Sequence, residues 1–152
     1  MVKKNFTKVI IAAIAQNGII GRDGKLPWNS NEEIKHFQET TKGSVVLFGR
    51  VTFESFGKPL KERLNVVISS STELAYDHEN VVVFSDLDNA YKYLNEQDID
   101  KVFICGGKNI YEEELNKADE MILSWMKLKA KGDTKFPEID FDQWKITDKK
   151  NY

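Results

Sequence analysis

The chain has 152 residues, of which 41% are hydrophobic and 30% are charged, and its formal net charge at pH 7 is −2. This length predicts a single domain, residues 1–152, that is large enough to fold around its own core. The charge balance argues against a nucleic-acid-binding protein. The lone cysteine, Cys105, excludes an internal disulfide and favours a reducing, cytoplasmic location.

The N-terminal region combines lysines with an apolar run at residues 9–15, a pattern that superficially resembles a secretory signal. The run is short and ends in the turn-like sequence Gln16-Asn17-Gly18, so we interpret it as a buried first strand. No stretch approaches the roughly 20 apolar residues that a transmembrane helix needs. We therefore expect no association with a membrane.

Short apolar runs rich in β-branched residues alternate with helical patterns along the rest of the chain. Because the runs are continuous, they predict strands that are covered on both faces. The predicted strands are residues 9–15, 45–48, 66–68, 81–84, 102–105 and 121–125. The predicted helices are residues 31–42, 49–56, 86–97 and 108–116. This order predicts an α/β fold with a central, mostly parallel twisted sheet flanked by helices.

Two glycine junctions directly follow predicted strands and precede predicted helices. Gly49-Arg50 follows the second strand, and Gly106-Gly107 follows the fifth. Glycine lets a ligand approach the backbone closely, and a helix N-terminus favours phosphate. Since ligands of open α/β sheets bind beyond the carboxyl ends of strands, the pair favours a long phosphate-bearing ligand such as a dinucleotide. Neither junction matches G-x-G-x-x-G, which disfavours a Rossmann site, and each could equally be a plain tight turn.

Two further features suggest a site. Three glycines within residues 18–24, followed by Leu26-Pro27-Trp28, predict a mobile loop that gates a site, although an inert hairpin would have the same pattern. Glu33 lies four residues before Phe37 on the apolar face of the first predicted helix. A carboxylate that faces an apolar pocket should have a raised pKa unless it has a partner, although Glu33 could also be an ordinary glutamate at the boundary of that face. The spacing of histidines, cysteine and carboxylates predicts no metal site.

The order of several motifs resembles the dihydrofolate reductase family over about residues 7–144. The motifs are Ile11-Ala12-Ala13, the glycines at 18 and 21, Leu26-Pro27-Trp28-Asn29 with an acid five residues after the tryptophan, Gly49-Arg50-Val51-Thr52, Arg63-Leu64-Asn65, Gly106-Gly107 with Ile110-Tyr111, and residues 132–137. The resemblance implies reduction of dihydrofolate to tetrahydrofolate by hydride transfer from NADPH to C6, with protonation at N5. The product would supply one-carbon metabolism and thymidylate synthesis.

The resemblance also implies catalytic roles for individual residues. Glu33 matches the family's active-site acid, which binds the pterin and supports its protonation, and Ser124 lies where the family hydrogen-bonds that acid. Leu26 and Trp28 would close the glycine-rich loop over the reacting ring, and Tyr111 would lie beside the nicotinamide. The implied catalytic residues are Glu33, Trp28, Leu26, Ser124 and Tyr111.

The implied binding residues form two groups. Arg63 would pair with the α-carboxylate of the folate glutamate, a bidentate target for a guanidinium. The substrate group is Ile11, Ala13, Glu33, Ile34, Phe37, Leu60, Arg63, Cys105 and Ser124. The group for NADPH is Ala13, Ile20, Gly21, Gly49, Arg50, Val51, Thr52, Ser69, Ser70, Gly106, Gly107, Lys108, Asn109, Ile110 and Tyr111. Antifolate-type ligands are implied as well, and we expect a monomer.

The chain departs from the family's pattern in three places. Val51 replaces a basic or polar residue, and Asn109 stands where a second arginine can reach the 2′-phosphate of NADPH, a role that Lys108 could take over. Phe53 replaces a tryptophan, a tolerated change in a core. The sequence ends before the family's usual C-terminal hairpin, and we expect residues 144–147 or another chain to cover the sheet edge beside residues 121–125.

Two other functions stay open at this point. One is a related riboflavin-pathway reductase, against which Leu26-Pro27-Trp28 and the inward-facing acid argue. The other is a non-catalytic scaffold of the same fold that binds NADPH or folate. Since an enzyme and a scaffold would both bind cofactor, only turnover distinguishes them.

Overall fold

The structure, a computed structural model, describes residues 6–15, 18–21, 31–55, 59–69, 79–126, 134–137, 139 and 144. Within these residues, strands alternate with helices in the order that the sequence predicts. The strands are β1 (Thr7–Ala15), β2 (Ile19–Gly21), β3 (Val45–Gly49), β4 (Leu64–Ile68), β5 (Val81–Phe84), β6 (Lys101–Ile104), β7 (Glu120–Met126) and β8 (Thr134–Lys135). The helices are α1 (Asn31–Thr41), α2 (Arg50–Ser55), α3 (Leu87–Asn95) and α4 (Lys108–Glu114).

Six of the described strands form one sheet in the order β5-β4-β3-β6-β1-β7, and every neighbouring pair is parallel. The predicted α/β fold with a central parallel sheet is therefore confirmed. Strand β6 lies between β3 and β1, although it follows both of them in the chain. Parallel pairing brings the carboxyl ends of β3, β4 and β6 to one edge of the sheet, where ligands of open α/β sheets bind.

Strand β1 shows how the apolar runs form the core. Its side chains alternate between two apolar clusters, with Ile10, Ala12 and Ile14 in one and Val9 and Ile11 in the other. All five side chains are buried. Burial on both faces explains why the run is continuous rather than alternating. The prediction that strands are covered on both faces is confirmed here.

Helix α3 begins at a capping residue and packs against the core. The Asp86 carboxylate accepts a hydrogen bond from the backbone N–H of Asn89 at 2.8 Å, which fixes the first turn. Leu87, Ala90 and Leu94 follow at helical spacing and are buried in the same cluster as Ile10. The amphipathic pattern of residues 86–97 therefore covers one face of the sheet.

The prediction of a loop over residues 18–28 is wrong for its first part. Strand β2 pairs antiparallel with β8, and the backbone N–H of Phe136 donates to the carbonyl of Gly18 at 2.9 Å. Strands this short carry no periodic pattern, so their pairing was not predictable from the sequence. Residues 22–30, which include Leu26 and Trp28, lie outside the described part of the chain.

Strand β7 forms one edge of the sheet among the described residues, where Trp125 is 55% exposed. Residue 144 is described without strand or helix structure, and residues 145–147 lie outside the described part. Cover of this edge by residues 144–147 therefore stays a prediction. Among the described helices, none has the length and apolar character of a membrane span.

A buried ion pair ties β1 to the end of α4. The Lys8 ammonium lies 3.1 Å from a carboxylate oxygen of Glu114, whose side chain is only 1% exposed. The same ammonium lies 4.0 Å from the centre of the Tyr91 ring, where the negative face of the ring attracts it. Burial, and next the charge of Glu114, raises the pKa of the Tyr91 hydroxyl well above its usual range. Glu114 thus depends on Lys8 for compensation of its charge.

We predict that Lys8→Met lowers the free energy of unfolding by about 3–5 kcal/mol, because it leaves an uncompensated buried carboxylate. The matched control is Lys35→Met, which removes an exposed pair with Glu39 at 4.0 Å and should change stability little. The double variant Lys8→Met/Glu114→Leu should regain most of the loss, since neither charge remains. Urea denaturation measures all three. Equal effects of Lys8→Met and Lys35→Met would contradict the role of the buried pair.

Candidate functional site

The two glycine junctions meet at the carboxyl edge of the sheet. Because β3 and β6 are neighbours, Gly49 lies beside the turn that follows β6, and its backbone N–H donates to the carbonyl of Gly106 at 2.9 Å. Helices α2 and α4 both begin there, directly after the glycines. The sequence placed both junctions at strand ends of one sheet, and the structure joins them by a hydrogen bond.

The three glycines differ in the space around them. A Cβ atom on Gly107 would lie 3.3 Å from the Thr52 hydroxyl and would crowd it, whereas one on Gly49 would lie 3.5 Å from Ile110, an ordinary contact. Gly106 has a φ of +105° and is joined to Gly107 by a cis peptide bond. A Cβ on Gly106 would lie 2.9 Å from the Tyr111 ring, so the turn packs closely on α4 and is suited to glycine.

Tyr111 connects this turn to β1. Its hydroxyl donates to the carbonyl oxygen of Ile11 at 2.8 Å, and its ring packs against Phe136 with 4.9 Å between ring centres. Burial, and next the neighbouring Cys105, raises the pKa of Tyr111 well above its usual range. Tyr111 therefore stays protonated at neutral pH and remains a hydrogen-bond donor.

Two cations begin the helices that follow the cradle, the backbone of Gly49 and Gly106-Gly107: Arg50 is the first residue of α2 and Lys108 is the first residue of α4. Arg50 lies 3.4 Å from Glu54, and Lys108 lies 3.9 Å from Glu112, each pair being one helical turn apart and about half exposed. Exposed pairs of this kind are weak, so an incoming phosphate can compete with either glutamate. Val51, between Arg50 and Thr52, is 54% exposed and adds an apolar surface where the family has a basic or polar residue.

The remaining predicted cofactor residues are only partly described. Ser69 follows β4, is buried, and its backbone N–H donates to the carbonyl of Phe84 at 2.9 Å. Asn109 is exposed in the first turn of α4. Ile20 and Gly21 lie in β2, the side chain of Ile20 is outside the described part, and so is all of Ser70. Among the described residues, no cluster of three histidines, cysteines or carboxylates suits a metal ion.

Several predicted substrate residues share one apolar cluster. Ile11 is buried in it, and Phe37, Leu60 and Cys105 pack against it from α1, the turn before β4 and the end of β6. The Cys105 thiol donates to the carbonyl of Phe103 at 3.4 Å, and burial raises its pKa to about 12. The thiol is therefore neutral at physiological pH and acts as part of an apolar wall.

Arg63 lies beside this wall and is held from α1. Its Nε donates to the Thr41 hydroxyl at 2.9 Å, one Nη donates to the carbonyl of Gln38 at 2.6 Å, and the other donates to the carbonyl of Lys61. The Thr41 hydroxyl itself donates to the carbonyl of Phe37 at 2.8 Å. A guanidinium has five N–H groups, so these three bonds leave enough donors for one bidentate carboxylate.

The catalytic side of the site is described in part. Ala13 of β1 lies opposite Ser124 of β7 in the parallel register, so these two predicted residues are neighbours. The backbone of Glu33 and Ile34 lies in the first turn of α1, while their side chains lie outside the described part. The structure therefore tests neither their predicted roles nor those of Leu26 and Trp28.

Sequence reasoning assigned no role to Thr41 or Asn65, although both are fully buried polar residues at the substrate side. Asn65 interrupts the apolar sequence of β4, and a polar residue in a two-sided buried strand indicates a hydrogen-bonding role. That signal was present in the sequence. Thr41 ends α1 within an ordinary polar stretch, and nothing in the sequence distinguishes it.

We predict that Gly106→Ala destabilises the fold more than Gly43→Ala does. Both glycines have a positive φ, but a Cβ on Gly106 would lie 2.9 Å from the Tyr111 ring, whereas a Cβ on Gly43 would meet nothing within 4 Å. The strain common to both costs about 1–2 kcal/mol. The clash should add about 1–3 kcal/mol at Gly106, measured by urea denaturation. Equal losses of stability in the two variants would mean that Gly106 is not tightly packed against Tyr111.

Comparisons with known proteins agree with this geometry. The family model described as dihydrofolate reductase matches residues 7–152. The chain is 33% identical to dihydrofolate reductase of Haemophilus influenzae over 90% of this chain and 82% of that protein. It is 40% identical to dihydrofolate reductase type 3 of Salmonella typhimurium over 85% of this chain and 77% of that protein.

A solved structure shows the same similarity. Dihydrofolate reductase from Enterococcus faecalis, complexed with NADP(H) and RAB-propyl, superposes with a TM-score of 0.81 at 31% identity, covering 90% of this chain and 80% of that one. Sequence, fold and the position of the glycine junctions thus agree, and the chain belongs to the dihydrofolate reductase family.

Proposed function

We propose that the chain is an NADPH-dependent dihydrofolate reductase that converts 7,8-dihydrofolate to 5,6,7,8-tetrahydrofolate. Membership of the family supports the proposal. The observation that carries it is that Gly49 and Gly106-Gly107 meet at the carboxyl edge of the sheet, while the anchored guanidinium of Arg63 stands directly before β4, at the amino end of that strand. The cofactor and the carboxylate of the substrate would therefore have separate binding groups.

The residues at the cradle fit a dinucleotide. A side chain on Gly106 or Gly107 would press against Tyr111 or Thr52, and the first turns of α2 and α4 would offer N–H groups for phosphate. Arg50 and Lys108 would supply the charge for the phosphates, and Thr52 a hydroxyl. Val51 and Asn109 supply no cation, so discrimination of NADPH from NADH would depend on Arg50 and Lys108. When bound, NADPH supplies the hydride.

The substrate side fits the aromatic and glutamate parts of dihydrofolate. Phe37 and Leu60 would contact the aromatic ring, and the free donors of Arg63 would bind the α-carboxylate. The carbonyl of Ile11 accepts one hydrogen bond from Tyr111 and has a second lone pair for the pterin amino group. Antifolates that share these groups would bind in the same place.

Glu33 would carry the acid–base step. In the first turn of α1 it would hold the pterin through the amino group and N3 and support protonation at N5, while Ser124 orients it from β7. Leu26 and Trp28 would exclude water when the loop closes. An apolar wall that includes Phe37 would strengthen the interaction of Glu33 with the pterin, because charges interact more strongly where water is excluded.

We also propose a cytoplasmic monomer that supplies tetrahydrofolate for one-carbon metabolism. The lone cysteine supports a reducing compartment, because the chain cannot form an internal disulfide. Both substrate and cofactor residues come from a single chain, so no second copy is required for the site. The family matches extend over most of the chain and support one domain.

We predict that Glu33→Gln lowers kcat near neutral pH by about 10²-fold or more, since the amide cannot support the proton transfer. The dissociation constant for NADPH should stay nearly unchanged, because the cofactor cradle lies on other elements. The matched control is Glu32→Gln, which removes the same charge about 100° around the helix and should keep its activity. Equal turnover by Glu33→Gln and the unmodified chain would remove Glu33 from the mechanism.

We predict that Arg63→Leu chiefly raises KM for dihydrofolate, by about 10-fold or more, because charge-assisted hydrogen bonds to the α-carboxylate are lost. The matched control is Lys61→Leu, which removes an exposed cation from the same turn and should leave KM almost unchanged. Steady-state kinetics at saturating NADPH distinguish the two variants. An unchanged KM in Arg63→Leu would exclude the carboxylate-binding role.

A further inference from the structure

Asn65 is a polar residue in a strand that is otherwise apolar. It lies in β4, between Leu64 and Val66, and its exposed fraction is 0%. A buried amide costs free energy unless its donors and acceptors are paired. The partners of Asn65 therefore indicate what the residue does.

Every partner of the Asn65 side chain is a backbone group near the substrate side. Its Oδ1 accepts from the backbone N–H of Leu60 at 3.0 Å, and its Nδ2 donates to the carbonyl of Leu60 at 3.0 Å. The same Nδ2 lies 3.1 Å from the carbonyl of Arg63 and 3.3 Å from that of Asn80. The amide thus pairs with Leu60 as a neighbouring strand would and holds Arg63 at the same time.

The turn that joins Leu60 to Arg63 needs the hydrogen bonds that Asn65 makes. Glu62 has a φ of +60°, a left-handed conformation that costs a non-glycine residue about 1–3 kcal/mol and persists only where surrounding contacts impose it. Asn65 binds the turn on both sides of Glu62. The backbone of this turn determines the positions of the Leu60 and Arg63 side chains.

We propose that Asn65 is a positioning residue for the substrate: it fixes the turn of residues 60–63, so that Leu60 and Arg63 meet the aromatic ring and the α-carboxylate of dihydrofolate. This inference rests on the function proposed above. Asn65 does not touch the reacting atoms, and its effect passes through Arg63 and Leu60. A displacement of about 1 Å in a substrate-positioning residue is enough to impair binding.

The test compares Asn65→Ser and Asn65→Asp with the unmodified chain. The serine is too short to reach Leu60 and Arg63 together, and the aspartate places an oxygen against three carbonyls. We expect KM for dihydrofolate to rise about 10-fold in both variants, since the turn loses its hydrogen bonds, while kcat and the dissociation constant for NADPH change less than about threefold. The control is Leu94→Ala, which removes buried volume from α3, away from the site. It should lower stability without raising KM.

Two readouts separate positioning from a general loss of structure. A dihydropterin that lacks the aminobenzoylglutamate group should be reduced equally well by the Asn65 variants and the unmodified chain. In an Arg63→Leu background, Asn65→Ser should raise KM for dihydrofolate less than it does alone, because one of the two residues through which it acts is gone. Equal losses on the truncated substrate, or fully additive effects with Arg63→Leu, would overturn the proposal.

The outcomes also distinguish this inference from the proposed function. If the unmodified chain does not oxidise NADPH with dihydrofolate, the proposed function fails; if it does and the Asn65 variants keep its KM, only the positioning role fails. Should both variants fail to fold, hydrogen exchange in the unmodified chain decides. The Leu60 amide is expected to exchange slowly although it lies in a turn, and rapid exchange would overturn the role of Asn65.

Discussion

The hydrogen bond from the Gly49 N–H to the Gly106 carbonyl is the contact on which the site depends. It exists because β3 and β6 are parallel neighbours, so that both chains leave the sheet at the same edge. Two helices then begin side by side. Any side chain on Gly106 would press against Tyr111, and one on Gly107 would crowd Thr52. The cradle formed by Gly49, Gly106 and Gly107, proposed here to bind the cofactor, is therefore a consequence of strand order together with the absence of side chains.

Two contacts tie helix α4 to strand β1. The Tyr111 hydroxyl in the middle of the helix donates a hydrogen bond to the Ile11 carbonyl, and the buried carboxylate of Glu114, the last residue of the helix, accepts one from Lys8. The two contacts fix α4 along the length of β1. The substrate side is organised differently, since Arg63 is anchored to α1 by two hydrogen bonds, to the carbonyl of Lys61 in its own turn by a third, and to β4 through Asn65. The glycine junctions and Arg63 are thus held in place by separate sets of contacts, and these sets are the two supports of the site.

The sequence predicted those features that depend on local pattern or on general rules of topology. Continuous apolar runs predicted the parallel strands, and the rule for carboxyl ends led from the two glycine junctions to a dinucleotide as the ligand. The direct contact between Gly49 and Gly106 depends on the strand order, which was not predicted. The motif order, including Arg63 in its place, predicted the family. Features that need contacts between distant residues were not predictable: Lys8 and Glu114 are 106 positions apart, and β2 pairs with β8 across more than a hundred residues. The left-handed Glu62 is likewise imposed by its surroundings, because no turn signal such as glycine or asparagine stands there.

The central claim is that these two supports hold a cofactor and a substrate in position for hydride transfer. The most direct measurement is the loss of NADPH absorbance on addition of the purified chain, with and without dihydrofolate. The account predicts oxidation that requires dihydrofolate and yields tetrahydrofolate in equal amount. Binding of NADPH without any dihydrofolate-dependent oxidation would contradict it and would identify the chain as a scaffold that has kept the fold but lost the reaction.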